Sequence, residues 1–148
     1  MNIRDEVQAV IFDNKKGRVL TLLVQKRTSK SSHPHWRLLK GGINKGETKT
    51  DALRREILEE TGLVNIEILD EVNNYEFVFG GIRHRVSSFL AKADSTQPIK
   101  LQKSELAGHV WIERARATKL LYWRNEKESL SKLDRFDSHS DSSVKLNV

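Results

Sequence analysis

Three glutamates within five positions, Glu56, Glu59 and Glu60, are the residues of this chain best placed to do chemistry. They lie in the stretch from Gly41 to Leu63, which reads GGINKGETKTDALRREILEETGL. On a helix, Glu56 and Glu60 are four apart and share a face, with Glu59 beside them. Unneutralised, that crowding is unfavourable. A hard divalent cation reverses its sign, because Mg²⁺ takes carboxylate oxygens while keeping waters and substrate phosphates around it. The competing reading is a plain solvated face whose acids and bases pair one turn apart. Arg55 can pair in that way with Glu59, whereas Arg54 meets Leu58, so the acids are clustered more tightly than the bases can neutralise. Helix arithmetic leaves both readings open.

The elements that would position these acids are legible in the same stretch. Gly41, Gly42 and Gly46 punctuate a loop that can approach a ligand closely. A helix opens near Thr48 to Asp51, where short side chains can accept from free amides, and closes at Gly62, which tolerates a left-handed C′ position. Leu53 and Ile57, four apart, mark its core face.

The stretch resembles the Nudix box: Gly, five residues, Glu, seven residues, Arg-Glu, an aliphatic, any residue, Glu-Glu, any residue, Gly, an aliphatic. Gly41, Glu47, Arg55, Glu56, Ile57, Glu59, Glu60, Gly62 and Leu63 fill every specified place. The resemblance implies an α/β fold, a Nudix α/β/α sandwich with a mixed central sheet. It also implies Mg²⁺-dependent attack of water on a diphosphate linkage, with Mn²⁺ as an alternative ion. Glu56 and Glu60 would then be metal ligands, and Glu59 either a ligand or the base that takes a proton from water. Arg55 would orient these glutamates. Glu47 would support the loop-to-helix packing or bind metal from outside, with Gly62 closing the helix. Many Nudix proteins place a further carboxylate in the loop before the last core strand, which makes Glu105 the candidate here; the alternative is an ordinary exposed loop glutamate.

Substrate recognition lies outside the box. Lys40 precedes the glycines and could point its ammonium at a phosphate, with Gly41 and Gly42 alongside. The run Trp36-Arg37-Leu38-Leu39-Lys40-Gly41 is similar to that of diadenosine tetraphosphate hydrolases, except that Leu39 stands where proline is usual. Gly41-Gly42-Ile43-Asn44 instead resembles bacterial RNA 5′-pyrophosphohydrolases. Lys26, Arg27, Arg83, His84 and Arg85 add positive charge, and strand alternation puts Arg83 and Arg85 on one face and His84 on the other. Some of these charges are expected merely to solubilise the surface. Tyr75, Phe77 and Phe79 share a strand face and could stack a base, Tyr75 being the best stacker, although such a stripe more often packs in a core. Tyr122 and Trp123 are second candidates. His33, His35 and His109 show no metal-ligand pattern. Intact Glu56, Glu59 and Glu60 argue against a domain that senses a nucleotide without cleaving it.

The remainder bounds the picture. The chain has 148 residues, 37% hydrophobic and 31% charged, enough for one domain with a substantial core. We expect this domain over residues 1–136 and a mobile tail over 137–148, which is rich in Ser, Asp and His. No run of apolar residues is long enough for a membrane span. No signal peptide opens the chain and there is no cysteine, so a cytoplasmic protein without disulfides is the expectation. A net charge of +6 suits polyanions: a small-molecule nucleotide, an RNA 5′ end or an inositol polyphosphate. No stable protein partner is expected.

In chain order, Glu6 to Phe12 and Val19 to Val24 read as a hairpin. A polar loop runs from Lys26 to His35, and Trp36 to Leu39 as a short strand. Val64 to Phe79 and Ile82 to Ala93 flank a Gly80-Gly81 turn. An irregular loop over Gln97 to Leu106 leads into a strand at His109 to Glu113. Helices follow over Ala115 to Tyr122 and Glu126 to Phe136, with Leu120, Leu121, Leu130 and Leu133 packing inward.

Overall fold

Alternation along the first strand decides both faces of the sheet. In the computed structural model, which describes residues 1–27 and 35–134, β1 runs Asn2–Lys15. Val7, Ala9 and Ile11 point into one apolar cluster, and Val10 and Phe12 into another. The first cluster receives Leu53 and Ile57 of α1 (Lys49–Thr61). The second receives Ala117 of α2 (Arg114–Leu120), Leu130 of α3 (Arg124–Ser131), and Leu121 and Leu133 that follow them. Helices on both faces of one sheet make the expected α/β/α sandwich.

The sheet is mixed. β2 (Arg18–Lys26) forms the expected hairpin with β1, but pairs only with Phe12 to Lys15. On that same edge, β4 (Leu39–Gly42) takes over at Glu6 to Ala9. β6 (Ile82–Ala93) runs parallel to β1 along its other edge and is itself the antiparallel partner of β5 (Ile66–Phe79). Gly80 and Gly81, at φ 59° and 76°, turn that hairpin, since glycine takes positive φ at little cost. β3 (Trp36–Arg37) and β7 (Leu106–Glu113) both pair with β2.

Five expectations change. Trp36 to Leu39 is not one strand but parts of two, and β4 carries Gly41 and Gly42 inside the sheet rather than in a loop. Leu120 is 39% exposed and does not pack inward, because α2 ends there and Leu121 turns in instead. The closing helix spans Arg124–Ser131, so it starts before Glu126 and stops at Ser131, while Phe136 lies outside the described residues. The aromatic stripe is not core: Phe79 is 74% exposed at the hairpin tip, and Tyr75 and Phe77 border a cleft. Pro34, His33 and most of the polar loop, as well as the tail over 137–148, lie outside the described residues. No helix among the described residues is long and apolar enough to cross a membrane.

Candidate active site

The helix α1 is held as its ends predict. Thr48 Oγ1 accepts from the Asp51 N–H at 3.1 Å, and Gly62 closes the last turn in the left-handed region at φ 77°. Leu53, Ile57 and Glu60 fall on one face at helical spacing, so burying the two apolar residues carries the Glu60 carboxyl inward with them. Glu60 is 8% exposed, and its Oε2 has no hydrogen-bond partner among the described residues. Burial, with the charges of Glu56 and Glu105 adding to it, pushes the Glu60 carboxyl up to about 8. Burial likewise raises Glu56, with the Arg55 guanidinium opposing it.

Arg55 is the clamp of this cluster. Its Nε and Nη2 grip both oxygens of Glu47 at 2.6 and 2.9 Å. Nη1 reaches Glu56 at 2.9 Å and Glu59 at 3.3 Å, while Nη2 also donates to the Gly42 carbonyl at 2.9 Å. Glu47 in turn accepts from the Asn44 N–H at 2.8 Å, which fixes the loop to the helix. The guanidinium holds Glu47 below the usual carboxylate range and is itself shifted upward by its acids. One arginine thus joins β4, the loop and three glutamates.

Gly41 is required by this packing. A Cβ there would sit 2.1 Å from Glu56 Cδ, whereas one at Gly42 would meet the Arg4 guanidinium at 2.8 Å on the opposite face. With no side chains at these two positions, a cleft of about 900 Å³ wraps around the sheet edge. On the α1 side it is bordered by Glu56, Glu59, Glu60 and Glu105. On the α3 side it is bordered by Lys40, Tyr75, Phe77, His84, Trp123 and Glu126. Lys40 lies 3.9 Å from Glu6 and over the Phe77 ring at 4.6 Å, and burial lowers its ammonium below the usual lysine value. Phe77 stacks on His84 with centroids 4.6 Å apart.

The cleft therefore gathers Lys40, Gly41, Gly42, Tyr75, Glu56, Glu59, Glu60 and Glu105 of the expected residues, with Arg55 and Glu47 directly behind the acids. It does not gather three others. Arg83 pairs with Glu76 at 3.1 Å and Arg85 with Asp5 at 2.8 Å; strand alternation turns both away while His84 faces in. Arg27 bonds the Lys103 carbonyl at 2.5 Å on the outer loop and does not border the cleft. Of the second candidates, Trp123 borders the cleft beneath Arg37, whose Cζ lies 4.5 Å from the ring centroid. Tyr122 is 63% exposed and stacks on His35 instead. Glu6, Arg37 and Glu126 were missed. The phase of β1 could have flagged the first: if Val7, Ala9 and Ile11 face one layer, Glu6 and Gln8 face the other. Glu126, in a polar helix of eight residues, gives no such signal.

The donor set fits a hard divalent cation. Its groups are all carboxylate oxygens, one of them buried and unpartnered beside like charges. Among the described residues no three acids, imidazoles or thiols close around one point. Arg55 Nη1 holds an oxygen each of Glu56 and Glu59.

The NUDIX domain model matches residues 3–133, and the chain belongs to the Nudix family, whose members generally use divalent metal cations. It is 44% identical over 68 residues to an RNA pyrophosphohydrolase of Sulfurovum sp., covering 46% of this chain and 42% of that protein. It is 36% identical over 78 residues to an RNA pyrophosphohydrolase of Bartonella bacilliformis, covering 49% and 44%. The matched stretch thus spans less than half the length of either relative. A C. elegans Ap4A hydrolase has the same fold, with a TM-score of 0.79 at 24% identity over 92% of this chain and 98% of that one.

Proposed function

We propose that this chain is a Mg²⁺-dependent hydrolase that cleaves a diphosphate linkage in a nucleoside polyphosphate, with dinucleoside polyphosphates of the diadenosine tetraphosphate type preferred. The observation that carries this reading is Glu60 Oε2, a buried acid oxygen without a hydrogen-bond partner among the described residues, grouped with Glu56 and Glu105 on one side of a nucleotide-sized cleft. The cleft is bordered by six glutamates against four Lys or Arg residues, so a bare polyphosphate would be repelled from it. Glu56, Glu60 and Glu59 would hold the cation, Mg²⁺ with Mn²⁺ as the alternative. When bound, the ion neutralises phosphoryl charge and makes water more acidic.

The remaining work falls to this chain's own groups. Arg55 keeps Glu56 and Glu59 in place, Glu47 keeps Arg55 in place, and Lys40 steadies a phosphate at the glycine edge. Glu105, or Glu59 where it is not a cation ligand, would take the proton as water attacks one phosphorus and the bridging P–O bond breaks, the departing phosphate leaving with the electron pair. The 44% match to an RNA pyrophosphohydrolase supports a second reading, removal of pyrophosphate from an RNA 5′ end.

Product analysis with diadenosine tetraphosphate and with triphosphorylated RNA, wild type against Glu60→Gln, tests both. Mg²⁺-dependent release of mononucleotides, reduced by orders of magnitude in the variant, is expected. RNA cleavage without dinucleotide cleavage would select the second reading. Turnover of neither, with nucleotide still bound, would make the domain a sensor and refute hydrolysis.

A further inference from the structure

The α3 side of the cleft is built around a carboxyl that the proposed hydrolysis does not use. Glu126 is 3% exposed and borders the cleft. Its Oε2 is fully engaged, accepting from the Leu38 N–H at 2.8 Å and from Gln8 Nε2 at 3.2 Å. A hydrogen-bonded chain of side chains leads to the Gln8 amide. Asn73 Nδ2 donates to Ser129 Oγ at 3.1 Å, Ser129 Oγ to Ser88 Oγ at 3.0 Å, and Ser88 Oγ to Gln8 Oε1 at 2.7 Å. Ser129 Oγ has a second acceptor in the Asn125 carbonyl at 3.2 Å, so the link next to Glu126 that matters is Ser88 Oγ to Gln8 Oε1, which leaves Gln8 Nε2 for Glu126. The other oxygen, Oε1, is shielded from bulk water and has no hydrogen-bond partner among the described residues.

A buried acceptor without a donor is costly, and a ligand that supplies one recovers that cost. Trp123 and Tyr75, which border the same cleft, offer ring surface beside it. We propose that Glu126 Oε1 reads the edge of the substrate's nucleobase by accepting a hydrogen bond from an exocyclic amino group, that of a 6-amino purine or a 4-amino pyrimidine. The proposal rests on reading the cleft as a nucleotide site and names the class of base it takes.

The polarity follows from the surroundings. Burial raises the Glu126 carboxyl, while Arg37, the Leu38 N–H and Lys40 all favour its charged form. Tyr75 touches Gln8 beside it, and Glu6 stands further along β1. A third N–H donor, delivered to Oε1, would add to the groups that oppose that rise. A keto oxygen in the same place would face Oε1 lone pair to lone pair.

AMP and IMP differ at two adjacent atoms of that edge, a 6-amino donor beside an acceptor N1 against a 6-keto acceptor beside an N1–H donor; because the proposal puts Oε1 at the 6 substituent and not at N1, the pair are its probes. In Glu126→Gln the Leu38 and Gln8 N–H groups still point at the former Oε2 position, so the amide carbonyl must lie there. The amide NH₂ then replaces Oε1, and an acceptor becomes a donor. Titration calorimetry is expected to show wild type binding AMP about tenfold tighter than IMP, and the variant preferring IMP. Equal affinities or an IMP preference in wild type would overturn the proposal, as would binding of neither nucleotide or a variant that still prefers AMP. If the variant does not fold, the wild-type preference alone decides. Binding is read without turnover, so the two readings separate. Reversal without hydrolysis keeps this assignment and sinks the hydrolase, while base-indifferent hydrolysis does the opposite.

Discussion

Replacing Glu60 by Gln should stabilise the metal-free protein at high pH while lowering the proposed hydrolysis by orders of magnitude. The carboxyl rises from an ordinary 4.5 to about 8 in the fold. Between those values the folded protein binds more protons than the unfolded chain, so stability falls as pH rises through the interval and the loss is complete above it. At about 1.4 kcal/mol per pH unit the rise amounts to about 5 kcal/mol as an upper bound. Relaxation and water penetration reduce such costs, and about 2 kcal/mol is the expected remainder. For a domain of this size that is about 6 °C in melting temperature. Thermal unfolding in EDTA, followed by circular dichroism, should find the two proteins close at pH 5 and Glu60→Gln ahead by about 6 °C at pH 9. Added Mg²⁺ should raise wild type more than the variant. A gap that does not widen from pH 5 to pH 9, or a variant less stable than wild type at pH 9, would show that Glu60 carries no burial penalty. The charge argument for the cation would go with it.

Three further outcomes follow from the same geometry. Arg55→Lys cannot grip Glu47 with two nitrogens while reaching Glu56 and Glu59, so kcat and Mg²⁺ affinity should fall about 10–100-fold with the fold retained; steady-state kinetics over a Mg²⁺ series would measure it, and wild-type values would discard the clamp. Gly41→Ala puts a methyl 2.1 Å from Glu56 Cδ, and displacing that carboxyl should lower kcat at least about tenfold. Unaltered kcat would mean that Glu56 does not matter where it stands. Arg83→Ala and Arg85→Ala, whose partners Glu76 and Asp5 lie outside the cleft, should leave KM within about twofold; a large rise would bring them back as substrate contacts.

Much of the site was local and therefore legible. Helix caps, the Glu56–Glu60 spacing and the glycine turn at 80–81 depend on neighbours within a few positions, and the structure places them as the spacing implies. The Nudix box is itself one continuous stretch, which is why a single sequence exposes it. Polarity of the cleft was not local. A net charge of +6 suited polyanionic partners, yet the cleft is bordered by more acids than bases, because net charge sums over a surface whose distribution only folding assigns. The positive charge assigned to Arg27, Arg83 and Arg85 went astray for the same reason: types were readable, facings were not.

The sequence by itself determined which acids could act together, since helical periodicity alone brings Glu56, Glu59 and Glu60 onto one patch. Only the tertiary structure decided what stands opposite them. Gly41 and Gly42 enter a strand between two layers, and Glu126 is drawn under the cleft from a helix more than eighty residues further along the chain. Both outcomes depend on long-range pairing of strands and burial of helix faces. Those are settled by the whole core at once, and no short window of residues encodes them.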